Sequence, residues 1–93
     1  MITVFIPGGL RPLVDGKSQV ELEVKPGSTL LDALQMLWMR YPAVRDRLIN
    51  EQEEIREHIN VFVGNENTRH TGGFNTPLTA NAEITIVPAI SGG

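Results

Sequence analysis

The stretch TLLDALQMLWMRYP, residues 29–42, has the clearest helical periodicity in the sequence. Thr29 and Asp32 have the spacing of a capping box, in which each side chain binds the other residue's backbone N–H at a helix start. Apolar side chains then recur at helical intervals: Leu30, Leu31, Leu34, Leu37 and Trp38. Pro42 cannot continue the helix because it has no N–H to donate. The stretch therefore predicts one amphipathic helix that needs an apolar surface to pack on.

Two strands before the helix supply part of that surface. In SQVELEV, residues 18–24, apolar and acidic side chains alternate, as in a half-buried strand. ITVFI, residues 2–6, places Ile2, Val4 and Ile6 in phase. The segment between them, residues 7–17, is rich in Pro and Gly and predicts a turn between antiparallel neighbours. A hairpin is therefore expected to open the fold.

The segments after the helix complete a strand order. Residues 43–58 predict a short helical turn followed by a loop, because their apolar residues are sparse among charges. INVFVG at 59–64 and EITIV at 83–87 predict two more strands. This order predicts an α+β fold, the ubiquitin-like β-grasp, with a small mixed sheet curled over one main helix. The predicted domain is residues 1–87, followed by a flexible tail at 88–93.

Composition narrows the function. The 93 residues suit a single domain, with 41% hydrophobic and 20% charged residues. The net charge is −3 and the basic residues are scattered, which argues against nucleic-acid binding. No apolar run approaches a bilayer span and no basic leader precedes the first strand, so we expect a cytoplasmic protein. The absence of cysteine excludes disulfides, thiolate zinc sites, cysteine nucleophiles and a side-chain persulfide.

The tail PAISGG, residues 88–93, is the candidate reactive segment. Gly92 and Gly93 have no Cβ and could thread a narrow site, while Pro88 would stiffen the exit from the last strand. Extended, the tail would reach roughly 20 Å. A free carboxylate is a poor electrophile and accepts sulfur only after activation as a mixed anhydride with a nucleotide phosphate. Because the product is a thiocarboxylate, the Gly93 carboxylate could itself carry the sulfur without any cysteine. Alternatively, the terminal glycines have no function.

Three residues are candidates for a partner interface. Phe5 and Phe62 are out of phase with the aliphatic residues of their strands and should lie with Thr85 on the outer face of the sheet. Arg69, in the loop TRHTGGF, is a candidate salt-bridge donor to a partner. Alternatively, the two rings are isolated or lie under residues 51–58, and the loop is only a turn.

Other features predict no chemistry. The chain has no set of nucleophile, base and orienting residue, and neither Pro7–Gly9 nor Gly72–Gly73 has the lysine and helix of a phosphate loop. His58 and His70 are far apart in the sequence, which argues against a metal site. Met36, Trp38 and Met39 have helical spacing and are predicted to fill the core.

Several segments together resemble one family. The opening hairpin, KPGSTLLDALQML, VFVGNE and EITIVPAISGG are similar to the ThiS/MoaD sulfur carriers, which have a ubiquitin-like fold. IPGGLRP, TRHTGGF and the PAISGG ending most resemble the CysO type, used in thiocarboxylate-dependent cysteine synthesis. The resemblance implies a protein co-substrate rather than an enzyme. Gly93 would be adenylylated by a ubiquitin-activating-like (ThiF/MoeB-like) adenylyltransferase that binds the ATP, and the thiocarboxylate would then serve a cysteine synthase-like acceptor.

Three alternatives stay open. The chain could be the small subunit of molybdopterin synthase, with the large subunit as its sulfur-accepting partner. It could be a ubiquitin-like modifier that forms isopeptide bonds between Gly93 and target lysines, since both functions use the same activation chemistry. It could also be a binding module whose tail is idle.

Overall fold

The computed structural model describes residues 1–88, which form a five-stranded sheet with helices packed on one face. The strands and α-helices are, in chain order, β1 Ile2–Phe5, β2 Gln19–Leu22, α1 Leu30–Arg40, α2 Pro42–Leu48, β3 Ile59–Val63, β4 Glu66–Asn67 and β5 Glu83–Pro88. Short 3-10 helices span Gly8–Val14, Thr68–His70 and Gly73–Asn75.

The strand order across the sheet is β2-β1-β5-β3-β4. The central pair, β1 and β5, is parallel, and the other neighbours are antiparallel. The first and last strands of the described chain are thus direct partners in the middle of the sheet. The predicted α+β fold of the β-grasp type, with a mixed sheet over one main helix, is confirmed.

The core lies between α1 and one face of the sheet. Ile2 and Val4 of β1 and Ile84 and Ile86 of β5 are almost fully buried, whereas the residues between them are more exposed. α1 contributes Leu30, Ala33, Leu34, Leu37 and Trp38. Full burial of one such aliphatic side chain contributes about 1.5–3 kcal/mol, so this layer supplies the main driving force for folding.

The capping box predicted at the start of α1 is present. The backbone N–H of Thr29 donates to Asp32 Oδ2 at 2.9 Å, and the N–H of Asp32 donates to Thr29 Oγ1 at 3.4 Å. α1 ends at Arg40, and Pro42 occupies the first turn of α2, where a missing N–H costs nothing. The helical turn expected after Pro42 is therefore α2, and a loop follows it.

Three details differ from the sequence predictions. The segment between β1 and β2 is not a plain turn, because its 3-10 helix buries Leu10 and Val14 in the core. Met39 is 84% exposed, so the prediction that it fills the core was wrong, although Trp38 is buried. Pro88 is the last residue of β5, so the strand extends one residue past the predicted end of the domain at residue 87.

Candidate functional site

The outer face of the sheet carries a row of side chains on its three central strands. Thr85 of β5 is paired with Phe5 of β1 on one side and with Phe62 of β3 on the other. Val4 and Val61, which adjoin these phenylalanines in sequence, are buried in the core, so both rings lie on the opposite face of the sheet. The row therefore places two partly exposed aromatic rings on either side of a threonine.

The row continues toward the tail. Val87, two residues after Thr85, is 40% exposed and is paired with Asn60 of β3. Because residues two apart in a strand share a face, Val87 lies on the same face as Thr85, one step closer to the end of β5. We refer to Phe5, Phe62, Thr85 and Val87 as the aromatic face. Partly exposed aromatic side chains of this kind are suited to anchor a protein partner.

The loop after α2 lies on the other side of the sheet. Ile55 packs against the core cluster and forms a bridge with Ile49. Ile55 also lines a groove with Val61 and Phe74, and Val61 belongs to the core face of β3. The loop at residues 51–58 therefore packs against the helix side, and this part of the chain does not cover the aromatic face.

Arg69 is engaged inside the molecule. Its Nη2 donates to the backbone carbonyls of Ile59 at 2.6 Å, Arg56 at 2.9 Å and Glu57 at 3.3 Å. Its Nε donates to Asn60 Oδ1 at 3.4 Å. The guanidinium thus connects the 3-10 helix after β4 to the start of β3. The predicted salt bridge from Arg69 to a partner stays a prediction, but the contacts observed are structural.

The tail leaves from the middle of the sheet. Pro88 is paired with Ile59, and β5 lies between β1 and β3. Pro88 also lines a groove of about 380 Å³ together with Pro7, Arg47, Arg56 and His58. Gly92 and Gly93, the predicted reactive end, lie outside the described residues. Pro88 is therefore the last point at which the structure locates the path of the tail.

A second groove, on the helix side, was not expected from the sequence. It has a volume of about 610 Å³ and is lined by Leu31, Trp38, Met39 and Phe74, among others. The Arg45 guanidinium lies 5.8 Å from the centre of the Trp38 ring and forms a 3.0 Å salt bridge with Glu53. These contacts join α1, α2 and the loop that follows α2, and they depend on how the three segments pack, which the helical periodicity of α1 does not specify.

Residues 1–88 offer little for catalysis or metal binding. They contain no group of three His, Cys, Asp or Glu side chains placed to hold a metal ion. None of their helices is long and apolar enough to span a bilayer. The features left for function are the aromatic face and the exit of the tail beside it.

The sheet is mixed, its central strands β1 and β5 are parallel, helices cover one face, and the last described strand lies in the middle. This architecture defines a ubiquitin-like β-grasp protein. The chain belongs to the ThiS family, whose model matches residues 4–93. The resemblance to the ThiS/MoaD carriers drawn from the sequence is thereby confirmed.

Individual relatives support the same assignment. The sulfur carrier protein CysO of Mycobacterium tuberculosis is 32% identical over 94 residues, covering 99% of this chain and 98% of the relative. A chain in the crystal structure of the Amycolatopsis orientalis BexX/CysO complex is 33% identical, with a TM-score of 0.89 and full coverage of both chains. Small archaeal modifier protein 1 of Haloferax volcanii is 30% identical over 80 residues, covering 86% of this chain and 87% of the relative. These relatives are carriers and modifiers rather than enzymes.

Proposed function

We propose that this chain is a sulfur carrier that works through a thiocarboxylate at Gly93 and supplies sulfur for the synthesis of cysteine. The main support is the family match, which continues through the tail to residue 93. The whole-length similarity to CysO favours the cysteine branch. A small β-grasp domain presenting a tail is suited to this role, because the chemistry takes place on the tail inside other proteins.

The chemistry has two steps at the Gly93 carboxylate. A carboxylate oxygen attacks the α-phosphorus of ATP, and pyrophosphate leaves, which produces an acyl-adenylate. A sulfur donor at the sulfide level then attacks the acyl carbon, and AMP leaves with the C–O bond electrons, so that a C–S bond replaces a C–O bond. The carrier supplies the carboxylate, and we assign the ATP site to a ubiquitin-activating-like adenylyltransferase in the cytoplasm.

The aromatic face is the proposed docking surface for the partners. Phe5 and Phe62 lie on the same sheet face as Val87, which directly precedes the exit of the tail. A partner that covers these side chains would receive the tail at the edge of its own interface. The same arrangement would serve the adenylyltransferase and, after activation, a cysteine synthase-like acceptor.

A second candidate function is protein modification through Gly93. The observation in its favour is the 30% identity to small archaeal modifier protein 1. Both functions require the same activated glycine, and they differ only in the nucleophile that attacks it. A sulfur donor produces a carrier, whereas a lysine amine produces an isopeptide-linked modifier. Molybdopterin synthesis is the alternative use of the carrier itself.

Mass spectrometry of protein from the native host separates these functions. A carrier is expected to show an intact-mass increase equal to the replacement of one oxygen by sulfur, localised to Gly93. Branched Gly-Gly remnants on lysines of other proteins, without the sulfur form, would favour the modifier. A copurifying pyridoxal-phosphate synthase would support cysteine as the product, whereas a large molybdopterin synthase subunit would support the alternative.

A reconstituted sulfur-transfer assay with two variants tests the role of Gly93. Deletion of Gly93 is expected to abolish transfer, because it moves the terminal carboxylate one residue away from the activating site. Lys25→Ala is the control, since Lys25 is exposed and lines a different groove, beside Met1 and Asn81. Unchanged transfer after deletion of Gly93 would contradict both the carrier and the modifier.

A further inference from the structure

The end of the sheet from which the tail leaves carries a basic cluster, although the chain has a net charge of −3. Arg47 and Arg56 line the groove beside Pro88. Arg11 follows Gly9 and Leu10, which line the same groove, and its Nε donates to the carbonyl of Ile6 just beyond β1. We refer to Arg11, Arg47 and Arg56 as the tail-exit cluster.

Within residues 1–88, no carboxylate forms a salt bridge with this cluster. Arg56 donates from Nε and Nη2 to the backbone carbonyl of Asp46, at 3.1 and 2.8 Å, which fixes its position without cancelling its charge. Arg47 is exposed and makes no side-chain hydrogen bond to this part of the chain. Asp46 is the one acidic residue that lines the groove. The local charge is therefore positive.

Three acidic side chains of the neighbouring loop line a different groove. Glu53, Glu54 and Glu57 line the groove that contains Val61 and Phe74, on the helix side of the sheet. Glu53 is also paired with Arg45. These three glutamates therefore do not line the groove beside Pro88, where Arg47 and Arg56 face only the carboxylate of Asp46.

We propose that the tail-exit cluster docks against acidic side chains at the mouth of the channel through which the activating enzyme admits the tail. Residues 89–93 span roughly 16 Å when extended, at about 3.3 Å per residue. When Gly93 reaches the nucleotide, the cluster therefore stands at the entrance and not at the reacting atoms. Complementary charge at that position accelerates encounter and orients the tail toward the channel. This inference rests on the proposed function.

The test is ATP–pyrophosphate exchange catalysed by the purified adenylyltransferase of the host, with the carrier as the varied substrate at low and high salt. We expect Arg47→Glu to lower kcat/KM for the carrier about five- to ten-fold at low salt, through a slower encounter, while kcat is unchanged. The difference should shrink at high salt, because screening weakens exposed charges. Asp46→Asn should raise kcat/KM at low salt, since it removes the single opposing charge in the groove.

Lys25→Glu is the matched control. It makes the same change in net charge at an exposed position in a different groove, beside Met1 and Asn81. The inference is overturned if Lys25→Glu and Arg47→Glu reduce kcat/KM equally, if the effect of Arg47→Glu is independent of salt, or if Asp46→Asn lowers kcat/KM. If the enzyme catalysed no exchange with any form of the carrier, the wild type included, the proposed function itself would be overturned. That result is distinct from equal kcat/KM values for the two variants.

Discussion

Arg69 shows how one exposed residue can hold distant segments together. Its guanidinium donates to three backbone carbonyls at or just before the start of β3, those of Arg56, Glu57 and Ile59. We expect Arg69→Ala to lower the free energy of unfolding by about 1–3 kcal/mol, because hydrogen bonds made by charged groups are stronger than neutral ones. Urea denaturation measures the change.

Arg47→Ala is the control for that measurement, because Arg47 makes no side-chain hydrogen bond within residues 1–88. Its effect on unfolding should stay within about 0.5 kcal/mol, as for most surface substitutions. If both variants lost the same stability, the contacts of Arg69 would not be structural.

Trp38, unlike Arg69, has a polar group without a hydrogen-bond partner in the described part of the chain. Its Nε1–H is buried and has no acceptor among the described residues. Trp38→Phe removes this unpaired donor and keeps an aromatic ring, so we expect it to lower the free energy of unfolding by less than about 2 kcal/mol. The comparison variant Leu34→Ala leaves a cavity at a fully buried site and should lower the free energy of unfolding by about 2–5 kcal/mol. Far-UV circular dichroism in urea is the suitable probe, since Trp38 is the only tryptophan.

At the scale of elements, α1 depends on its first turn. Thr29→Ala removes the hydroxyl that accepts from the Asp32 N–H, and we expect the unfolding free energy to fall by about 1 kcal/mol. Thr29→Ser keeps a hydroxyl at the same position and should retain most of the stability. Urea unfolding of both variants checks the prediction, and equal losses would assign the effect to the lost methyl group instead.

Elements defined by local pattern were predictable from the sequence. The start of α1 followed from Thr29 and Asp32, because a capping box is a contact between neighbours in the chain. The exposure of Met39 could also have been predicted from the sequence. Met39 is nine residues after Leu30, and at roughly 100° per residue it lies on the opposite side of the helix, about 180° from that buried side chain. The prediction failed because helical spacing was noted without its phase.

Elements that depend on tertiary contacts were not predictable in the same way. The Pro and Gly content of residues 7–17 indicated a turn, but Leu10 and Val14 are buried and order the segment as a 3-10 helix. The internal contacts of Arg69 depend on the approach of its loop to Ile59, ten residues earlier. The composition of the loop does not indicate which distant backbone groups it will contact. The row formed by Phe5, Thr85 and Phe62 followed once the β-grasp order was assumed.

At the scale of the whole molecule, the two sides of the sheet should respond differently to substitution. We expect Phe62→Ala to lower kcat/KM for the carrier in adenylyltransferase-dependent exchange by about ten-fold or more, as for a central aromatic anchor. Met39→Ala removes the most exposed apolar side chain of the helix side, and we expect it to change kcat/KM by less than about two-fold. Unfolding curves of both variants separate lost binding from lost stability. Equal kinetic effects would place the partner elsewhere.

The parallel pairing of β1 and β5 also has a mechanical consequence. A pull on the tail acts along β5, whose hydrogen bonds to β1 and β3 lie across that direction. These bonds are therefore loaded together in shear instead of opening one after another. Both neighbours of β5 therefore resist traction on the tail together, so the domain should withstand a force that would unzip a terminal hairpin. Stretching single molecules between their two ends should reveal one abrupt, high-force rupture.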